Sequence, residues 1–256
     1  MIKLRYNSRK MPLVISLDVA TPKKTTIRLI AFDETKRNTK YMDRTHEFEG
    51  SQNFIIRLPQ SPDKLTIEII SKSERLQLVK KEVLPLRTQM STKDFEDKRI
   101  GRFVAFCQEF ALRAGYLSIG KYEDDSGSYE IQYLDTIKND QTGKEITTPA
   151  RISVTRGTVQ VSQKIFSTYT IPGRVAILLH EFCHVFKNND AHSEIEADFH
   201  AAQIYCALGY PRVEILKVFA AVFYRADTNL NRLRLEKLIE FVNNFDTNIQ
   251  SVKYGL

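Results

Sequence analysis

The spacing of the hydrophobic residues in this chain changes near Pro85. Upstream of that proline, apolar and polar residues alternate in short segments, which is the pattern of strands with one buried face. Downstream, most apolar residues recur every three or four positions, which is the pattern of helices with one buried face. We therefore predict an α+β protein with two domains, residues 1–88 and residues 89–256.

The first predicted domain is all β. Its strand-like segments are separated by Pro, Asn, Asp, Gly and Ser, and six or seven of them at this spacing predict an antiparallel β-sandwich. His46 is a lone histidine and no glycine-rich phosphate loop is present, so we expect a docking or binding role. The segments are IKLRY, PLVISLDVA, TTIRLIAF, NFIIRL, KLTIEII and LQLVKKEVL.

The second predicted domain opens with one long amphipathic helix. The run KDFEDKRIGRFVAFCQEFALRAG places its apolar residues at helical spacing. Ser91 or Thr92 is the expected N-cap, and Gly115 is expected to end the helix. Cys107 lies on the apolar stripe, so we interpret it as a buried small hydrophobic residue.

Short strands and then four helices are predicted beyond that helix. The segments ARISVT and TVQVS flank Arg156 and Gly157 and predict a hairpin. Pro172 suits the first turn of a helix. The expected helices cover residues 173–187, 193–208, 211–225 and 229–245.

Positive charge is concentrated in the first predicted domain. The formal net charge of the chain is +7, and residues 1–90 hold 18 Lys and Arg against 10 Asp and Glu, a balance of +8. A solvated basic surface is one interpretation. Attraction to nucleic acid, or docking onto an acidic or multi-subunit protein assembly, is the other.

Cysteine content and hydropathy indicate the compartment. Three cysteines at irregular spacing argue against a disulfide framework and fit a reducing environment. The N-terminal apolar run is broken by Asp18 and does not read as a signal peptide, and no run approaches the roughly 18 apolar residues of a membrane span. We expect a cytoplasmic protein with no membrane insertion.

The segment HEFCH, residues 180–184, lies in a helix whose apolar residues nearly encircle it. Residues four apart occupy one face, so the imidazoles of His180 and His184 can converge on one metal ion. Glu181 is rotated by about 100° from His180 and can stand beside the ion without binding it. There a carboxylate can accept a proton from water, so the spacing predicts a catalytic zinc site.

Three residues are candidates for the third ligand. Asp190 and His192 follow the second histidine in the connection, and Glu194 opens the next helix with Asp198 one turn further on. Glu194 is favoured because Asp198 shares its face, and the other two stay open.

HEFCH followed by EIEAD and DFHAA resembles the gluzincin metallopeptidases, in a zincin-like domain. The resemblance implies that His180, His184 and Glu194 bind Zn²⁺, that Glu181 is the general base, and that Asp198 orients a ligand. It implies a zinc endopeptidase acting on protein or peptide substrates, with TVQVS or KIFSTYT as the edge strand that pairs with an extended substrate. The connection of nine residues after the second histidine is shorter than is usual in that group.

A second resemblance rests on the LGYPR turn after EIEAD. It is to zincin-like proteins of tailed phages, crAss-like phages among them, and implies a virion-associated assembly component with little or no proteolysis.

The residue that would stabilise an oxyanion is left open, because several polar side chains are available. They are His192, His200, Tyr205, Tyr210 and Tyr224. Cys183 is expected to be a buried thiol and Glu196 a surface charge.

Overall fold

The computed structural model describes residues 1–87, 91, 93, 95–153, 158–186, 194–224 and 228–245. The protein is mixed α and β, with 34% helix and 40% strand, as an α+β chain requires. It divides into two compact units. The first unit is Met1–Gln89 with Gly209–Pro211, and the second unit is Met90–Leu208 with Arg212–Leu256. The boundary that we predicted after residue 88 lies outside the described residues.

None of the helices in the described ranges is long and apolar enough to cross a membrane.

The described residues of the first unit form one antiparallel sheet. Its strands run in the order β1-β4-β2-β3, and β5 pairs with β2. Alternate residues of the long strands are buried, which is why the sequence shows period-two hydropathy. The strands are β1 Ile2–Asn7, β2 Leu13–Asp33, β3 Lys36–Leu58, β4 Lys64–Ser71 and β5 Gln77–Pro85.

Strands β2 and β3 are longer than we predicted. PLVISLDVA and TTIRLIAF are two halves of β2, joined across a register shift between Thr21 and Thr25. The hydroxyl of Thr21 donates to the carbonyl of Lys23 there, so the backbone continues through a segment that reads as a turn. The first half of β3 is polar and was not predicted, because the apolar face it completes belongs to β2.

The second unit combines a helical part with a four-stranded sheet in the order β10-β11-β7-β6. Strands β11 and β7 are parallel, whereas the other neighbours in this sheet are antiparallel. The elements are α1 Lys98–Arg113, β6 Gly120–Glu123, β7 Glu130–Leu134, β8 Ile137–Lys138, β9 Glu145–Ile146, β10 Ala150–Ser153, β11 Thr158–Ser162, α2 Gln163–Phe166, α3 Ile171–Phe186, α4 Glu194–Ala207, α5 Arg212–Phe223 and α6 Asn229–Asn243.

Helix α1 begins later than we predicted. Its N-cap is Asp97 rather than Ser91, and the Asp97 carboxylate accepts the backbone N–H of Arg99 at 2.9 Å. Thr92, the alternative cap, lies outside the described residues. Cys107 is fully buried, as expected, and burial raises the pKa of its thiol.

Helix α3 lies at the centre of the second unit. It contacts α1, α4 and α5, and it also contacts strand β10. This position explains why apolar residues nearly encircle it: Val175, Leu178 and Leu179 are fully buried. The four predicted C-terminal helices are present, with ends within two residues of the predicted ones where those ends are described.

The predicted edge strand is wrong. TVQVS forms β11, which lies between β10 and β7, and QKIF forms α2 instead of a strand. In the described part of this sheet β10 and β6 are the two edges, and β10 pairs antiparallel with β11 as the predicted hairpin requires. Residues 154–157, which connect them, lie outside the described ranges. Four of the five β11 residues are buried, which marks an inner strand, but period-two hydropathy alone does not separate inner from edge strands.

Candidate metal centre

Helix α3 brings two imidazoles to one point. The Nε2 atoms of His180 and His184 are 3.2 Å apart, and the side chain of His184 is only 6% exposed. The i and i+4 spacing produces this approach directly, because the two residues lie one turn apart on one face.

Helix α4 supplies the third group at its first residue. Oε2 of Glu194 lies 3.6 Å from Nε2 of His180 and 3.7 Å from Nε2 of His184. Bonds of about 2.0–2.1 Å in a tetrahedral arrangement separate two donor atoms by roughly 3.3–3.4 Å. The three measured separations lie close to that value, so this cluster could hold a metal ion.

Asp198 lies one turn beyond Glu194 and faces the other nitrogen of His180. Its Oδ1 is 3.0 Å from His180 Nδ1, and the residue is 1% exposed. A carboxylate at Nδ1 sets the tautomer that leaves Nε2 free to bind a metal. Burial lowers the pKa of His180, but the nearby carboxylate of Asp198, helped by the charges of Glu181 and Glu194, outweighs burial and raises that pKa. Burial and the neighbouring His180 lower the pKa of His184, which favours its neutral, ligating form.

Glu181 lines the same cavity without belonging to the three-residue cluster. Burial, together with the charge of Glu194, raises the pKa of its carboxyl. His180, a backbone hydrogen bond from Ile152 and the charge of Arg234 act in the opposite direction. A carboxylate with a raised pKa is a stronger base, which suits a group that accepts a proton from water.

Arg234, on α6, is a site residue that we did not predict. Its guanidinium forms a two-point pair with Asp198, Nε to Oδ2 at 2.7 Å and Nη2 to Oδ1 at 2.9 Å. Nη2 also lies 2.8 Å from Oε2 of Glu194. The only signal in the sequence is position: Arg234 lies four residues before Leu238 and eight before Val242, both buried, so it shares their face.

A cavity of about 430 Å³ opens in front of these groups. One wall is the edge strand β10, and helix α5 forms an apolar wall. This volume lies in the range of about 300–1,000 Å³ that binding sites occupy. The lining residues outside the cluster include Ala150, Arg151, Ile152, Val218, Phe219 and Phe223.

Several residues named from the sequence lie elsewhere. Tyr205 is fully buried, Tyr224 is 70% exposed, and neither they nor His200 belong to the cavity lining. Tyr210 belongs to the first unit. Cys183 is buried and Glu196 exposed, as expected. Asp190 and His192, the other candidate ligands, lie outside the described residues. The possible role of His192 in stabilising an oxyanion therefore stays a prediction.

No family model, no curated protein and no solved structure matches this chain. The geometry of the cluster and of the cavity is therefore the basis for assigning a function.

Proposed function

We propose that the protein is a zinc-dependent peptidase of gluzincin type, with the second unit as its zincin-like catalytic part. One observation carries the proposal: two imidazole nitrogens and one carboxylate oxygen from adjacent helices lie at ligand spacing, with Glu181 beside them. Two imidazoles and one carboxylate suit zinc best among common metals, and three protein ligands leave a position open for chemistry.

Different groups of the chain have different roles in the proposed hydrolysis. When bound, the ion supplies Lewis-acid chemistry that polarises a carbonyl and makes water nucleophilic at neutral pH. Glu181 accepts a proton from the attacking water and passes it to the amine that leaves. Asp198 keeps the Nδ1 side of His180 occupied, so that Nε2 faces the cluster.

The shape of the cavity supports an extended peptide as substrate. In the described part of the chain β10 pairs on one side only, with β11, and its residues 150–152 line the cavity. A peptide backbone can add to that free side as another strand. The apolar residues of α5, Val218 and Phe219 among them, then face its side chains.

An interaction role is the second candidate, and the first unit favours it. Within the described ranges the only cluster able to hold a metal lies in the second unit, so the first unit has no such centre of its own. Some of its cations are paired on the sheet, for example Arg28 with Asp43 and Lys24 with Glu47. Its β5 exposes Val79 and Leu84. These features support docking onto a protein assembly more than binding of nucleic acid.

The decisive experiment compares Glu181→Gln with the parent. The variant should keep one equivalent of zinc by elemental analysis, because Glu181 is no ligand. Its cleavage of a degenerate peptide library should fall by about 10²–10⁴-fold, because the proton acceptor is lost.

Glu196→Gln, an exposed change on α4, is the matched control and should behave as the parent. A Glu181→Gln variant that cuts at the parent's rate would refute the mechanism. A parent that holds zinc and cuts nothing in the library would favour the interaction role.

A further inference from the structure

The guanidinium of Arg234 lies next to the candidate metal centre. Its side chain is 9% exposed, and its guanidinium contacts both Asp198 and Glu194. These are the two carboxylates of α4 that serve the centre: one lies at ligand distance, and the other orients His180. One side chain of α6 therefore reaches two parts of the same site.

The contact with Glu194 is made to the atom that would bind the ion. Nη2 of Arg234 lies 2.8 Å from Oε2, the oxygen that faces the two Nε2 atoms. The side chain of Glu194 is 37% exposed, so packing covers only part of it. A guanidinium at this distance restricts it to the orientation that points at the imidazoles.

The second contact acts on His180 through Asp198. The fork geometry of the guanidinium matches both oxygens of a carboxylate, so it sets the plane of Asp198 as well as its position. Oδ1 of Asp198 is in turn 3.0 Å from Nδ1 of His180. Arg234 thus restrains two of the three candidate ligands: Glu194 directly, and His180 through Asp198.

Arg234 is itself fixed in place. The ring of Phe223 lies 4.3 Å from the guanidinium carbon, and Asn231 accepts a hydrogen bond from Nη1. The pair between Arg234 and Asp198 alone would be enough to join α4 to α6. The additional contact with Glu194 is the feature that such a structural pair does not require.

We propose that Arg234 is a positioning residue for the metal ion: it holds Glu194 in its ligating orientation, and Asp198 against His180, before the ion arrives. This inference rests on the metal centre of the proposed function and is independent of peptide cleavage. Its positive charge also repels a cation, but the two carboxylates it contacts offset that charge. Loss of groups that orient ligands weakens metal binding by about 10–100-fold, so we expect positioning to dominate.

The test measures Zn²⁺ affinity of the full chain by competition with a chromophoric chelator. Arg234→Met should bind about 10–100-fold more weakly than the parent. Arg234→Lys keeps the charge and loses the fork, so its affinity should lie between the two. Lys237→Met removes an exposed cation from the same helix and should match the parent.

Co²⁺ in place of Zn²⁺ gives a readout that a purely structural role would not change. Its visible absorption depends on ligand number and geometry, so Arg234→Met should alter the bands of the Co²⁺ protein. Parent-like affinity and an unchanged Co²⁺ spectrum in that variant would overturn the inference. Should circular dichroism show Arg234→Met to be unfolded, parent-like affinity of Arg234→Lys would overturn it instead.

His180→Ala separates this inference from the proposed function. If that variant binds Zn²⁺ as tightly as the parent, the metal centre itself is wrong. If it loses Zn²⁺ while both Arg234 variants bind normally, only the role of Arg234 is wrong.

Discussion

Asp43, in the first unit, is held between two cations. Arg28 donates to its two oxygens at 2.7 and 2.8 Å, and Lys40 donates at 2.7 Å. The hydrogen bond of Arg28 is the largest influence, and with Lys40 it outweighs partial burial and lowers the pKa of Asp43 to about 2. The ionised form therefore stabilises the folded state above the ordinary pKa of 3.8, and this contribution is lost as pH falls toward 2.

Asp43→Asn should accordingly lower the free energy of unfolding at pH 6 by about 1 kcal/mol, after allowance for solvent screening of the exposed Arg28. The deficit should shrink as pH falls from 4 to 2. Urea denaturation of both proteins across that range measures it. A deficit of constant size at every pH would show that the charge of Asp43 is not its cause.

The residues of the candidate site differ in how far their position can be predicted. His180, Glu181 and His184 follow from helical spacing alone, because four residues make about one turn. Glu194 required a choice among three candidates, since the path of the connection after α3 is not encoded in any periodicity. Arg234 was missed because a buried arginine is recognised by its partners, and those partners lie on another helix.

Helices α3 and α5 approach closely at Gly173. A Cβ built on Gly173 would lie 3.0 Å from Cγ2 of Val218, which is tighter than nine in ten real Cβ contacts. Val218 is buried, and a valine in a helix has one strongly preferred rotamer, so it cannot easily move away. Glycine at this position therefore sets the distance between the two helices.

Gly173→Ala should destabilise the protein by about 1 kcal/mol, because overpacking exceeds the gain in helix propensity. In a Val218→Ala background the same change should become neutral or stabilising, because the space is then free. Urea unfolding of the four proteins in this cycle measures the coupling. Gly120→Ala, where no atom lies within 4 Å, is the control. Equal effects in both backgrounds would contradict the contact.

Elements with their own periodicity were predicted well, and elements defined by their neighbours were not. Helices α3, α5 and α6 carry apolar residues at helical spacing, whereas α4 has almost no apolar face and was located from Gly209 and Pro211 after it. The first half of β3 and the choice of β10 as edge depend on which strand lies alongside. The hydropathy of a single strand does not determine which strands it pairs with.

At the scale of the whole molecule, the candidate centre draws its groups from distant parts of one unit. Helix α3 supplies the imidazoles, α4 the carboxylates and α6 the guanidinium, and β10 lines the cavity. Binding of an ion to the folded form alone stabilises every element that must be in place for binding. Metal should therefore protect α3, α4 and α6 together.

Hydrogen–deuterium exchange of the full chain tests this coupling. At Zn²⁺ concentrations about 100-fold above Kd, binding adds about 2.7 kcal/mol to stability, so the slowest amides of α3, α4 and α6 should exchange up to about 100-fold more slowly. Amides of β2 to β4 should be unaffected if the first unit unfolds independently. His184→Ala should abolish the protection, because it removes a candidate ligand on α3 and leaves the residues of α6 unchanged. Protection that persists in His184→Ala, or that is absent from α6 in the parent, would contradict a centre built across these three helices.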